Sequence, residues 1–334
     1  MTARANSSPS LADTLRQIQT PVQGGLREVI DEMWRIVAND NPLVSDVNAH
    51  LLLAKGKMVR PTLLLLSSNV DGSPEPRATA LAAVAELIHL ATLVHDDAVD
   101  HSVMRRGRPT INALFSHQVS VIMGDFLYSR ALSDLVRMGD MEPLAVFTNA
   151  SNALTLGEMR QLAALDALAF SEDDYDTLIE SKTASLFAAA CEVGSLCGAQ
   201  RFRSALTRFG QRLGMAFQVA DDLLDYTEAQ ETTGKPTGLD LREHKVTLPL
   251  IFALRKMPAA ARRRVDALFA NPDPDEGLIA EVVDIVREEG GLEYARRRGE
   301  DFAQQAEEAL GELPESVYRN SLAESIGYVM DRRS

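Results

Sequence analysis

Aromatic residues are scarce in this chain, at 5% of 334 residues, with a single tryptophan among them. Strands favour aromatic and β-branched side chains, so this scarcity, beside abundant Ala and Leu, argues for packed helices over sheets. No stretch of useful length alternates polar and apolar residues, which removes the period-two strand signal. Cysteine is nearly absent too. Cys191 and Cys197, in "AAACEVGSLCG", are the only two, six apart in a small-residue helical run. They are too few for a disulfide scaffold, no Cys/His quartet offers a zinc site, and both are expected to be buried, reduced thiols. Uncharged apolar runs of the roughly 18 residues needed to span a bilayer are missing. The N-terminal "MTARANSSPSLADTLRQIQ" has no apolar centre, so it does not read as a secretory signal. Positive charge is in deficit, with 34 Lys and Arg against 48 Asp and Glu, a net charge of −14. That argues against nucleic acid as the main partner, because phosphate-backbone binding wants a basic face. It also argues against a polybasic membrane anchor. A soluble, cytoplasmic protein with no transmembrane segment is expected.

What the chain does have is helical spacing nearly everywhere after residue 10. Residues 1–10 are polar and expected to be flexible; residues 11–334 are expected to form a single all-α domain, a bundle of ten or more helices. In "RATALAAVAELIHLATLVHDD", Leu81, Val84, Ala85, Ile88 and Thr92 follow the i, i+3, i+4 rule, and the opposite face is nearly as apolar. A helix apolar all round belongs inside a bundle. Breakers separate such segments: "DGSPEP" at 71–76, "RGRPT" at 106–110, "GDMEP" at 139–143, "TGKPTG" at 233–238 and "NPDPDEG" at 271–277. The acidic string "SEDDYD" at 171–176 is assigned to helix initiation, with Ser171 and Asp174 forming a capping box.

A second kind of acidic string resists that assignment. "LVHDDAVD" ends an apolar helix with Asp96, Asp97 and Asp100. Residues i and i+4 share a helix face about 5–6 Å apart, so Asp96 and Asp100 stack, with Asp97 about 100° round. Ionised carboxylates that close repel one another and raise one another's pKa. A hard divalent cation such as Mg²⁺ relieves this, taking oxygen ligands and completing its shell with water and substrate phosphates. One such string is commonly a solvated helix end. "FQVADDLLDYT" repeats the pattern with Asp221, Asp222 and Asp225, again closing an apolar helix. Two such clusters facing each other across a bundle interior could hold several cations between them.

The basic residues indicate the anion. Arg105 and Arg106 follow the first cluster on a Gly/Pro loop. Lys57 and Arg60 precede a helix in "KGKMVRP". Lys182 lies in "ESKTASLF", and Lys235 and Lys245 follow the second cluster in "GKPTGLDLREHKVTLP". Arg forks hold phosphate in bidentate fashion and Lys serves as a point charge. Singly, each reads as an ordinary surface charge. Together they describe a site for two diphosphates.

At these motifs the chain resembles the trans-isoprenyl diphosphate synthases of the polyprenyl synthetase family, over residues 50 to 255. "HDDAVDHSVMRRGRPT" and "QVADDLLDYT" stand as its two aspartate motifs. "KGKMVRP" stands for its upstream motif and "GKPTGLDLREHKVTLP" for its downstream one. "GEMRQL" at 157–162 and the Lys-Thr pair at 182–183 are similar as well. Three positions depart: Lys55 stands in place of a usual Gly, Met58 in place of a common Arg, and Asn112 in place of a frequent His. Met58 leaves one positive charge fewer near one diphosphate.

The resemblance implies an isoprenoid synthase bundle with a central cavity, catalysing Mg²⁺-dependent head-to-tail prenyl transfer, with three ions bridging the aspartate clusters and an allylic diphosphate. Asp96, Asp97, Asp100 and Asp221 would hold metal, with Asp222 and Asp225 as nearby or water-mediated helpers. Arg105, Lys182, Gln218 and Lys235 would hold the allylic diphosphate. Lys57, Arg60, His89 and Arg106 would hold isopentenyl diphosphate. His89 admits two readings, a satisfied core histidine or a ligand group on the same helix as Asp96. A homodimer is implied, and a lipid product would leave by transient contact with a membrane. In the family, bulky aromatics four or five positions before the first aspartate close the cavity early. Here those positions are Thr92 and Ala91, both small, so a long all-trans product of C30 or more is expected, with a C20 geranylgeranyl product as the competitor. Phe126, Tyr128 or Phe147 could form a deeper floor. Two other readings compete: a terpene cyclase, which would usually carry a different second metal motif, and a non-catalytic partner subunit, which would tend to have lost an aspartate motif.

Overall fold

The helical spacing of the sequence is realised as an all-helical bundle. The computed structural model describes residues 10–53, 56–72, 74–105, 107–163, 167–227 and 237–331. The expected flexibility of residues 1–10 therefore falls almost wholly outside the described residues, which begin at Ser10. In chain order the helices are α1 Leu11–Gln19, α2 Gln23–Val37, α3 Pro42–Leu52, α4 Val59–Asn69, α5 Ala78–Val99, α6 Ile111–Leu114, α7 His117–Met138, α8 Met141–Ala163, α9 Glu172–Ile179, α10 Ser185–Leu196 and α11 Arg203–Thr227. After the second aspartate cluster come α12 Leu239–Arg242, α13 Leu248–Leu254, α14 Ala259–Ala270, α15 Glu276–Glu288, α16 Gly291–Leu310 and α17 Val317–Met330.

Helix starts follow the local chemistry of the sequence. Ser10, Asn41, Thr110, Ser116, Asp275 and Ser316 each accept a backbone N–H of the first turn through the side chain, which satisfies an otherwise orphaned donor. The capping box at α9 is present as expected: Ser171 and Asp174 each accept from the other's backbone N–H. The sequence held no long strand pattern, and among the described residues the single sheet is a two-residue antiparallel ribbon, Met104–Arg105 against Arg108–Pro109, turned through Gly107 at φ +72°.

One continuous apolar cluster runs from Ile18 to Val329. Helix α5 stands at its centre, with every residue from Leu81 to Ile88 buried, walled by α2, α4, α7, α8 and α10. By length and composition alone α5 is apolar enough to cross a membrane. Its place inside the bundle accounts for that hydropathy, as for any core helix. Both cysteines are free and buried, and burial pushes each thiol up to about 12, which makes them inert. Arg35 forks onto Asp134 at 3.0 and 2.8 Å and pins α2 to α7.

The feature that most directly places the site is the seating of α11 on the α9–α10 rod. Residues 210, 214, 218 and 222 are spaced by four and share one face of α11. A Cβ at Gly210 would lie 2.6 Å from the Phe187 carbonyl oxygen, and one at Gly214 would lie 2.6 Å from the Ala184 Cα. The two backbones touch there because glycine leaves room. One turn on, Gln218 meets Thr183, and the next turn brings Asp222 to Tyr175. Between α9 and α10 the rod widens into a π-turn, Glu180–Ala184, which turns Lys182 and Thr183 toward neighbouring helices. Such turns carry one extra residue and often mark functional positions. Gly214→Ala should push α11 off this rod and cost about 1–3 kcal/mol of stability, as overpacking does. Urea unfolding would measure this, and an unchanged midpoint would mean that the close approach is not needed.

Candidate active site

Both aspartate clusters lie at C-terminal helix ends, the first closing α5 and the second closing α11. Asp97 is buried at 6% exposure and accepts from Arg105 Nε at 2.8 Å. The ribbon at 104–109 carries Arg105 back over the helix end to make that bond. Asp96 is half-buried, and burial pushes its carboxyl up to about 6. Lys182 and Arg105 oppose that shift, while Glu158 and Asp100 add to it. Asp100 is exposed at the helix end, 3.9 Å from Lys245 Nζ.

In the second cluster the three carboxylates differ sharply. Asp221 is exposed. Asp222 is buried at 5% exposure, accepting from Tyr175 at 2.6 Å on one oxygen and from Gln218 Nε2 at 2.8 Å on the other. Gln218 in turn accepts from Thr183 at 2.7 Å. Burial pushes the Asp222 carboxyl well up, Asp240 adds to the push, and the two hydrogen bonds work against it. Asp225 accepts the backbone N–H groups of Leu239 and Asp240, one on each oxygen, both at 3.0 Å. Asp240, at the start of α12, is also pushed up, by burial first and then by Asp225.

Lys182 reaches from the π-turn to Glu158 at 2.6 Å and Gln161 at 3.3 Å on α8. Lys245 pairs with Glu243 at 2.6 Å, so one ammonium touches both the loop behind the second cluster and Asp100 of the first. The Lys245 N–H bonds the Asp240 carbonyl and the Asp240 N–H bonds Asp225, so the two clusters lie at the same end of the bundle. At the α4 start, Met58 adopts φ +51°, the Arg60 guanidinium lies 4.8 Å over the Phe187 ring, and Lys57 Nζ lies 5.8 Å from the Tyr328 ring centre. His89 is half-buried on α5, about two turns before Asp96. Ala91 is buried in the core and Thr92 is half-buried, its hydroxyl turned back onto the His89 carbonyl at 2.8 Å.

The polyprenyl synthetase family model matches residues 41–286. The chain belongs to the polyprenyl synthetase family. An all-trans-nonaprenyl-diphosphate synthase (geranyl-diphosphate specific) of Rhodobacter capsulatus is 39% identical over 87% of this chain and 89% of its own length. The crystal structure of a decaprenyl diphosphate synthase from the same organism superposes with a TM-score of 0.90 at 36% identity, covering 96% of this chain and 99% of that one. That of a polyprenyl synthase from Caulobacter crescentus, complexed with calcium and isoprenyl diphosphate, gives 0.88 at 33% identity, covering 99% and 100%.

The donor set at these helix ends is carboxylate oxygen, the chemistry a hard divalent cation takes. Among the described residues no group of three Asp, Glu, His or Cys side chains is gathered closely enough to hold a metal unaided. Mg²⁺ suits such a set, because it binds through one or two carboxylates and draws its other oxygens from water and phosphate. Arg106 and Lys235 lie outside the described residues. Several groups had no assigned role in the sequence reading. Glu158 and Gln161 sit inside "GEMRQL" and grip Lys182, while Asp240 sits inside the downstream motif. Tyr175 looked like part of a helix start, and only its bond to Asp222 reveals its position.

Asp96 is more easily protonated folded than unfolded, at about 6 against an ordinary 3.8. Its effect on stability is therefore neutral in acid and turns unfavourable as pH rises through that window. Asp96→Asn should stabilise the chelator-treated protein at about pH 7.5, by about 1–2 kcal/mol, and change little near pH 4. Urea titrations at the two pH values would show it. Equal stability of variant and wild type at both would mean that burial does not strain this carboxylate.

Proposed function

We propose that the chain is a Mg²⁺-dependent long-chain polyprenyl diphosphate synthase, condensing isopentenyl diphosphate head-to-tail with an allylic diphosphate to an all-trans product. The observation that carries this reading is the pair of aspartate clusters at one end of an apolar helix core, linked through Lys245, which pairs with Asp100 and follows the segment tied to Asp225. Membership of the family and the nonaprenyl and decaprenyl synthases among its relatives support it.

Asp96, Asp97, Asp100 and Asp221 would hold the ions, three of them, with Asp222 and Asp225 supporting from beside. Bound Mg²⁺ would neutralise charge building on the departing diphosphate, a Lewis-acid contribution. Arg105, Lys182, Gln218 and Lys235 bind the allylic diphosphate. Lys57, Arg60, His89 and Arg106 bind isopentenyl diphosphate through charge-assisted contacts. The allylic C–O bond breaks, the double bond of isopentenyl diphosphate attacks the resulting carbocation, and a proton is lost. The released pyrophosphate is a suitable base, so no dedicated His or Glu base is required. The apolar walls around α5 exclude the water that would quench the cation.

The growing tail runs down α5, past Thr92 and Ala91. Small side chains there leave the shaft open, which favours C30 or more over C20. Phe147, buried on α8, and Phe126 and Tyr128 on α7 are candidates for its floor. The chain acts as one domain, in the cytoplasm and as a homodimer. Exposed apolar side chains on α7 and α8, including Ile122, Met159 and Leu162, support a second copy. A long lipid product leaves through transient membrane contact.

The test is a product assay with labelled isopentenyl diphosphate, Mg²⁺ and C5, C10, C15 or C20 allylic starters, sized by mass spectrometry after dephosphorylation. Wild type should give a ladder ending at C30 or beyond, and Ala91→Phe a shorter one. A wild-type stop at C20 would move the floor upward. Identical ladders from wild type and variant would refute length control at Ala91, and no elongation from any starter would refute the activity.

A further inference from the structure

The third aspartate of the second cluster does something different from its sequence twin in the first. Asp100 is exposed and faces Lys245. Asp225 instead meets three consecutive backbone N–H groups. Its carbonyl accepts from Gly238 at 2.8 Å, Oδ1 from Leu239 at 3.0 Å and Oδ2 from Asp240 at 3.0 Å. Successive N–H groups of this kind form a concave nest suited to an anion. Here the anion is supplied by the protein, from the end of another helix.

The nest depends on Gly238. Its φ of +76° is a backbone state that side-chain-bearing residues rarely adopt, and a Cβ there would lie 2.5 Å from Ile279 Cγ2. With Gly238 so turned, the amides of 238, 239 and 240 all point at Asp225. The four residues that follow form α12, and they start from the tether. The Lys245 N–H bonds back to the Asp240 carbonyl at 2.8 Å, so the position of Lys245 depends on the same segment.

We propose that Asp225 is a positioning residue: it ties the start of α12 to the end of α11 and thereby sets Asp240 and Lys245 against the two aspartate clusters. It does so without a place in the coordination shell of any ion. The inference rests on the prenyl-transfer reading for what is being positioned, while the tether itself rests on hydrogen bonds alone. Carboxylate acceptors to backbone N–H groups are among the stronger hydrogen bonds of a protein, and a lost cap loosens the segment it held.

Amide hydrogen exchange on the full-length protein, in chelator and without substrate, tests the tether apart from the activity. In Asp225→Ala the amides of residues 238–240 should exchange about tenfold faster or more, with α5 and α10 unchanged. Asp225→Asn, which keeps a single carbonyl acceptor, should fall between. Gly238→Ala, which attacks the same contact from its other side, should reproduce the pattern. In assays with saturating Mg²⁺ each variant should lose kcat at least about tenfold, while the half-saturating Mg²⁺ concentration moves less than about threefold. Unchanged exchange at 238–240 in Asp225→Ala, or a Mg²⁺ requirement raised tenfold or more with kcat recovered at high Mg²⁺, would overturn the proposal and make Asp225 a ligand. Failure of wild type to elongate any starter would refute the activity and leave the exchange result standing.

Discussion

Asp222 holds the site in register. Taking a carboxylate out of water beside other carboxylates is costly unless its oxygens are satisfied. Tyr175 and Gln218 satisfy both, from opposite sides. Two donors on two oxygens favour the ionised form, yet burial and the nearby charge of Asp240 still push the carboxyl well up. Gln218 donates from one turn back on α11 itself, while Tyr175 arrives correctly only if α11 lies flat on the rod of α9 and α10. The glycines at 210 and 214 allow that contact, and the next two turns inherit it. Loss of either donor would leave a buried acceptor unpaired, a penalty of about 1–3 kcal/mol. The exposed neighbour Asp221 is thereby aimed by a residue that itself stays buried.

The same end of the bundle is strongly charged while the core beside it is apolar. Helix α5 reconciles the two along its length. From Leu81 to Ile88 it is buried on all sides, Glu86 included, and its aspartates come only in its last turn. The repulsion this creates is contained by cations that come from elsewhere. Arg105 is folded back by a two-residue ribbon, Lys182 is turned by a π-turn onto Glu158 and Gln161, and Lys245 is carried on the segment after α12. Each cation has a carboxylate partner within the chain.

Much of this was legible in the sequence. Apolar periodicity gave helices and their breakers, and the i, i+1, i+4 aspartate pattern, met twice after apolar runs, marked the site. The capping box at Ser171 was readable because all its partners lie within four residues. Tyr175 was not. It sits 47 positions from Asp222, and no local signal distinguishes a tyrosine in a first turn from one aimed at a distant carboxylate. Asp240 was hidden for a related reason: it is a lone acid in a short segment, and its importance comes from burial beside Asp225. The π-turn has no residue signature of its own. The division of labour within "DDLLD" also lay beyond the pattern, since spacing puts the three on neighbouring faces without saying which face meets protein.

That division follows from helix geometry once α11 is docked. With the 210–214–218–222 face pressed on the rod, Asp222 is buried by necessity. Asp221, about 100° away, is turned outward, and Asp225 falls between them at the last turn. The last turn of a helix also has carbonyls without intrahelical partners. Asp225 uses both its carbonyl and its carboxylate to receive the amides of the returning chain, so a helix end that repels anions becomes the anchor for the segment carrying Asp240 and Lys245. A repeated motif thus serves two helix ends differently. At α5 the chain leaves through a ribbon and its third aspartate faces the solvent. At α11 the chain must come back, and the third aspartate is used to bring it.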